Sequence, residues 1–549
     1  DILKKQYRYN IKEQRMKKRF IWTAAAGLAL ILAIILVVAG FSHKNNKEQA
    51  ETAEEEPEQV TLDWYVNYSW FVASWGENLV SRTITEETGV SVNFITPKGN
   101  EDEKLNALIA ADALPDLITL GWWEPQVNSM IRNDMVYALN ELADTYDPIF
   151  YEVTDPTVVN WYTREDGNIY CYPNSSYTPQ DLEKNDHIPM NQTFLVRKDI
   201  YEALGCPDMT TKEGFYDAVV RAREICPEVN GKPLIPIGAH EFDDTGCVSF
   251  DKYLQNFLAV PYEKDGKIYN RYTDPEYLSW LKLFRKLCGE GYLLPDIFVD
   301  TRTQTSEKIE EGRYFCMLYQ RTDLADQEKI LYANDPDKIY IAVDGPRNEA
   351  GDDPVLPSNG INGWTVTLIS KNCKRPDKAI AFMDYLMSEQ GQKRIYLGVE
   401  GVTYDMSEGK PVIREEVRKL LNTDRQGYDR LYGADDCYWM LQNNVMQLAW
   451  QPELEEPLKQ LAEWTYPYAC YTGQYDAPPD ENTELGEIDT KAKRLWSETL
   501  KKLLLAESDE AFDEIVADME EQWQEMGYDR VLEEQTEAMK INKEKLGME

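Results

Sequence analysis

The sequence predicts an α/β protein of two lobes, preceded by one N-terminal transmembrane helix. Three observations lead there. A basic N-terminus runs into an uncharged apolar stretch, Phe20–Ser42. From Val60 onward, short apolar strands alternate with helical segments, the order of a parallel sheet with crossover helices. Beyond Ser42 lie 507 residues, too many for a single core and suited to two lobes.

The first segment, residues 1–19, is a basic tail. Lys4, Lys5, Arg8, Lys12, Arg15, Lys17, Lys18 and Arg19 face only Asp1 and Glu13 as opposing charges. The apolar residues 20–42 follow, and at 1.5 Å per residue a helix of this length rises about 34 Å, enough to cross a hydrocarbon core. Cationic flanks stay in the cytoplasm, which places the remaining chain outside the cell. The run is either an uncleaved anchor, the reading favoured here, or a signal cleaved after Ser42. Val38-Ala39-Gly40 leads into Phe41 and not into a Cys, so lipid attachment at this point is closed.

Residues 43–59 are polar and Glu-rich without apolar periodicity, and they read as a disordered stalk. Folded structure is expected from Val60. Val60–Val66 alternates as a strand, and Val80 and Ile84 share a helix face before Gly89. Val90, Val92 and Phe94 alternate again, and Leu105, Leu108 and Ile109 have helical spacing. Leu117 to Leu120 forms a short buried strand. Ligands on parallel sheets collect at the carboxyl ends of strands, which here are the segment with Tyr68 and Trp70 and the segment with Trp122 and Trp123. Further along, 191–196 reads as a strand, 211–226 and 278–287 as helices, 314–319 and 363–369 as buried strands, and the chain from about Leu495 as charged helix.

The charge is −39 over the whole chain, and because the basic tail lies upstream, the outer part is more acidic still. Nucleic acid and other polyanions are therefore poor ligands, while a neutral ligand is unaffected. Nine Cys without a CxxC spacing cannot all pair within one chain, and buried free thiols are expected, as at Cys288 and Cys316 in apolar runs.

Four stretches, in this order and spacing, resemble the family 1 extracellular solute-binding proteins of bacterial ABC importers. The likeness is to the maltodextrin-binding type, in its long Gram-positive oligosaccharide-binding form. They are Leu105 to Leu120 (LNALIAADALPDLITL), Phe194 to Gly205 (FLVRKDIYEALG), Pro376 to Gly401 (PDKAIAFMDYLMSEQGQKRIYLGVEG) and Glu510 to Ala538 (EAFDEIVADMEEQWQEMGYDRVLEEQTEA). The resemblance covers about residues 60–545 and implies a two-lobed periplasmic-binding-protein-like fold with hinge crossings and ligand in the cleft. By that analogy lobe one is 60–190 plus 372–405, and lobe two is 191–371 plus 406–549 with the C-terminal helices. The crossings are expected near Met190, Thr365 to Ser370, and Tyr404.

Carbohydrate recognition sets aromatic faces against sugar C–H surfaces and pairs hydroxyls with a few placed polar groups. The candidates are Tyr68 and Trp70 after the first strand, and Trp122 and Trp123, one of which the resemblance points into the cleft. Tyr319, Gln320 and Arg321 follow the buried strand of lobe two, and Asn191 lies beside a crossing. Trp364 reads equally as hinge or ligand contact. No catalytic residue, metal site or cofactor is expected. The three His, His43, His187 and His240, form no HExxH, no GxSxG occurs, and no Gly-Lys pair continues into a phosphate-binding loop. His240 beside Glu241 reads as a loop pair. With 97 Asp and Glu, paired carboxylates carry no information about a glycosidase. The expected function is non-catalytic capture of a neutral oligosaccharide by an importer's substrate-binding subunit, a monomer working with membrane permease subunits. The alternatives are a binding protein for a peptide or other polar solute, a surface carbohydrate-active enzyme, and a sensor ectodomain.

Overall fold

The computed structural model describes residues 59–358, 360–451, 454–480 and 482–548. The expected tail (1–19), transmembrane segment (20–42) and all but the last residue of the stalk (43–59) lie outside the described residues. Among the described residues no helix is long and apolar enough to cross a membrane.

In chain order the strands of the two main sheets are β1 (Val60–Val66), β2 (Val90–Ile95), β3 (Leu117–Gly121), β4 (Tyr172–Pro173), β5 (Gln192–Arg197), β6 (Ile235–Gly238), β7 (Tyr314–Gln320), β8 (Tyr340–Ala342) and β9 (Thr365–Ile369). The helices that position them are α1 (Leu79–Thr88), α2 (Glu101–Ala110), α3 (Lys212–Ile225), α4 (Pro275–Gly289), α5 (Pro376–Met387), α6 (Glu484–Leu504), α7 (Asp509–Met526) and α8 (Tyr528–Lys545). Local chemistry sets their limits. Asn78 caps α1 by accepting from the Ser81 N–H, and Gly89 ends it at φ 71°, a left-handed value that glycine adopts without a Cβ clash.

The first sheet has the order β2-β1-β3-β9-β4. β1 runs parallel to β2 and β3, as the alternation of strand and helix predicts, while β9 is antiparallel to β3 and β4. The second sheet has the order β8-β5-β7-β6, with β7 parallel to β6 and antiparallel to β5. Each sheet has its own apolar core. Leu62, Trp64, Ile380 and Phe382 belong to the first, and Phe194, Phe215, Trp280 and Trp496 to the second.

Three assignments change. β9, expected in lobe two, pairs along its whole length with β3 of the first sheet, Thr365 opposite Gly121 and Ile369 opposite Leu117. Its five residues are all buried, so its composition suits either sheet and only the landing point of the preceding crossing decides. Tyr404 is not at a crossing; it opens a hairpin, Tyr404–Ser407 against Lys410–Ile413. The chain from there stays on the first core through Val417, Tyr428, Tyr438 and Leu441. The C-terminal helices do not belong to the second core alone. Val531 of α8 lies in it, whereas Leu546, just beyond the helix, lies in the first.

Where the crossing meets the first sheet the backbones touch closely. Gly363 sits at φ 61°, and a Cβ there would come within 1.7 Å of the Asn174 carbonyl oxygen. All nine Cys are free; Cys171, Cys247, Cys316, Cys373 and Cys437 are buried, Cys288 is half-buried and Cys206 is exposed.

Two buried carboxyls make opposite arrangements. Asp251 accepts from Trp496 Nε1 at 2.7 Å, the Tyr277 hydroxyl at 3.2 Å and the Cys247 N–H at 2.7 Å, tying α6 and α4 together. Asp384 on α5 is 1% exposed and neither of its oxygens has a hydrogen-bond partner. Burial, with the charge of Asp147 adding to it, pushes Asp384 up to about 8. An unfolded carboxyl titrates near 4, so between about pH 4 and pH 8 the folded chain holds the extra proton and stability falls as pH rises. Asp384→Asn is therefore expected to raise Tm at pH 8 by roughly 2–5 °C and to leave it nearly unchanged at pH 5. Thermal melts at the two pH values check this, and an equal effect at both would contradict it.

Candidate functional site

Because β9 runs against β3, the residue that precedes β9 arrives at the same edge as the residues that follow β1 and β3. Trp364 is thereby set beside Tyr68 and Trp70. The Tyr68 ring lies 5.3 Å from Trp70 and 5.2 Å from Trp364. Trp70 and Trp364 stack at 5.9 Å with 12° between their planes. A fourth ring joins them: Trp439, from the short turn Trp439–Leu441, is 4.4 Å from Trp364 and 5.7 Å from Trp70. Trp70 remains 55% exposed, whereas Tyr68 is 8% exposed.

One side chain fixes this cluster to the crossing. Asn174, fully buried, accepts from the Thr365 N–H through Oδ1 at 2.8 Å and donates from Nδ2 to the Trp439 carbonyl at 3.1 Å. Its own N–H donates to the Thr365 carbonyl at 2.9 Å. The backbones that carry Trp364 and Trp439 therefore share one amide, and neither Asn174 nor Trp439 carries a periodic or motif signal in the sequence.

Carboxylates border the cluster. Glu124 accepts from the Gly121 N–H at 2.7 Å and from Asn67 Nδ2 at 2.6 Å, bracing the ends of β1 and β3. Glu101 accepts from the Ser69 N–H at 2.7 Å. Burial, then the charges of Glu124 and Glu101, holds the Tyr68 phenol above its ordinary range, and its hydroxyl is buried without a partner.

Trp122 and Trp123 stand apart from these four rings. They meet each other edge-to-face at 6.0 Å; Trp122 is half-buried and Trp123 is 51% exposed. A Cβ at Gly121 would meet the Trp123 ring at 2.9 Å, so the glycine lets that indole fold back over the strand end.

At the second sheet, antiparallel pairing of β5 with β7 brings Asn191, Gln320 and Arg321 to one edge. The Arg321 N–H donates to the Asn191 carbonyl at 2.8 Å. Gln320 accepts from the Tyr253 hydroxyl at 2.9 Å and donates to Thr322 at 3.0 Å. Tyr319, a candidate ligand contact at the end of a strand expected to be buried, is 1% exposed, and His240 covers its ring at 3.9 Å with 10° between the planes. The register of Met317 against Gly238, carried two residues on, sets Tyr319 beside His240; His240 lies in the loop after β6, 4.0 Å from Glu241, as expected of a loop pair, and also walls this edge. Burial, then the charge of Arg302, pushes His240 down to about 3. Arg321 is turned inward: Nε donates to the Met190 carbonyl at 2.7 Å and Nη2 to that of Pro189 at 3.3 Å. Burial pushes its guanidinium down to about 10. Among the described residues no group of three His, Cys, Asp or Glu side chains is placed to hold a metal ion.

Known proteins share this architecture. The chain is 22% identical over 531 residues to the polygalacturonan/rhamnogalacturonan-binding protein YtcQ of Bacillus subtilis (strain 168), covering 93% of this chain and 98% of that protein. The S. pneumoniae ABC-transporter substrate binding protein FusA, solved in complex with kestose, superposes with a TM-score of 0.68. It is 15% identical, over 88% of this chain and all of that one. Alginate-binding protein AlgQ2 gives a TM-score of 0.65 at 19% identity, over 88% of this chain and 99% of that one. The fold is thus the two-lobed periplasmic-binding-protein-like one. The family described as bacterial extracellular solute-binding protein matches residues 81–412, from α1 through both sheets and past β9, and the chain belongs to that family.

Proposed function

We propose that the chain is the substrate-binding subunit of an ABC importer. It captures a carbohydrate, an oligosaccharide, in a cleft between two lobes and presents it to the permease subunits. The observation that carries this reading is the ring cluster of Tyr68, Trp70, Trp364 and Trp439, with Trp70 half open to solvent. Flat aromatic faces suit the C–H faces of sugar rings, and the amides and carboxylates around them suit hydroxyls. Names of the relatives support it, since they are binding proteins for saccharides. In this reading one lobe is built on the first sheet and the other on the second, and the Gln320 edge closes over the ring cluster. Binding as a monomer, without chemistry on the sugar, is sufficient for the role. The apolar run Phe20–Ser42 fits a single-pass anchor that keeps this cleft at the outer cell surface.

Trp70→Ala is expected to weaken saccharide binding by about 1–3 kcal/mol, roughly 5- to 150-fold in Kd. Tm should hardly move, because a half-exposed ring leaves no sealed cavity. Titration calorimetry with saccharides found on a glycan array, together with thermal melts, measures both. Loss of stability without loss of affinity would remove Trp70 from the binding surface. Chemical conversion of the bound glycan would replace capture by catalysis.

The anchor has its own test. Burial of some twenty apolar residues is effectively irreversible, so the protein should stay in the membrane fraction through high-salt washing without incorporating labelled fatty acid. Recovery of mature chain beginning at or near His43 would show a cleaved signal instead.

A further inference from the structure

The charges around the ring cluster bear on which sugars it accepts. Glu124 and Glu101 are held at the ends of β3 and the start of α2 by bonds to Gly121, Asn67 and Ser69, so neither swings freely away. The charges of both carboxylates act on the Tyr68 phenol, whose residue is 8% exposed and whose buried hydroxyl has no hydrogen-bond partner.

Four cations have hydrogen-bond or ion-pair partners within the protein. Arg321 is spent on the carbonyls of Met190 and Pro189, and Arg302 sits 3.1 Å from Asp323. Arg271 bonds Asn256 at 2.7 Å and lies over the Tyr262 ring at 3.9 Å. Lys104, one turn on from Glu101, donates to the Thr96 carbonyl at 2.9 Å.

We infer that the site selects neutral oligosaccharides over uronates, with Glu101 and Glu124 as the residues that set this choice; the inference rests on the carbohydrate reading above. A neutral sugar offers hydroxyl donors to the carboxylate oxygens, forming charge-assisted hydrogen bonds. A uronate brings a like charge beside them, in a molecule already at −39.

The test titrates the full chain, in about 50 mM salt where charges are weakly screened, with neutral and uronate oligosaccharides of equal length. Kestose, maltotriose and mannotriose form the neutral set, and trigalacturonate and alginate trimers the acidic one. Neutral sugars should bind at least about tenfold more tightly, as expected for one unscreened like-charge contact. Glu101→Gln and Glu124→Gln should each narrow that gap by at least about threefold, with Tm showing that the variants fold. Glu101→Gln serves if Glu124→Gln loosens the strand ends. Uronates bound as tightly as neutral sugars would overturn the inference and leave carbohydrate capture standing. A gap that neither variant narrows would overturn the assignment of the two residues. Failure of both sugar classes on a wider glycan array would overturn the carbohydrate reading itself.

Discussion

β9 enters the first sheet against the direction of β1 and β3, and its hydrogen bonds to β3 put Thr365 opposite Gly121. A parallel entry would have placed Trp364 at the other end of the sheet, one strand length away from Tyr68 and Trp70. The antiparallel return instead converges the end of β1, the end of β3 and the start of β9 on one edge. The Asn174 amide fastens this arrangement by bonding both Thr365 and the turn that carries Trp439. Asn174 and Gly363 are also where the crossing chain meets the first sheet, so the ring cluster stands beside that crossing.

The second edge is arranged differently. Its side chains are already committed: Arg321 to two carbonyls of the crossing 174–191, Gln320 to Tyr253 and Thr322, Tyr319 to the face of His240. The result is one edge rich in open aromatic surface and one whose polar groups are held in place. That asymmetry suits a sugar that stacks first on the rings and is then closed over by fixed hydrogen-bonding groups. Such an order costs little reorganisation on the closing side.

Much of the first sheet was legible because its strands carry clear signals. β1 alternates and is followed by a capped helix, and β3 is short, apolar and ends at a glycine, so Tyr68, Trp70, Trp122 and Trp123 could all be placed at strand ends. What could not be read was direction and register. TVTLI is buried on both faces and carries no mark of the sheet it joins, which left Trp364 ambiguous and misplaced β9. β7 is buried along nearly its whole length, so alternation could not show that Tyr319 points inward. Trp439 lies in a turn without periodicity, which Asn174 holds beside the start of β9. His240 was legible as a residue but not as a partner of Tyr319, because that pairing depends on the register of β6 against β7.

The antiparallel return of β9 builds the ring surface on which the proposed ligand lies. A crystal structure of the chain with a saccharide chosen by glycan array should show a sugar ring along the open face of Trp70, with carbon atoms within about 4 Å of the indole, and with Tyr68, Trp364 and Trp439 still packed behind it. A saccharide bound elsewhere, with the face of Trp70 still open to solvent, would show that this surface does not hold the ligand.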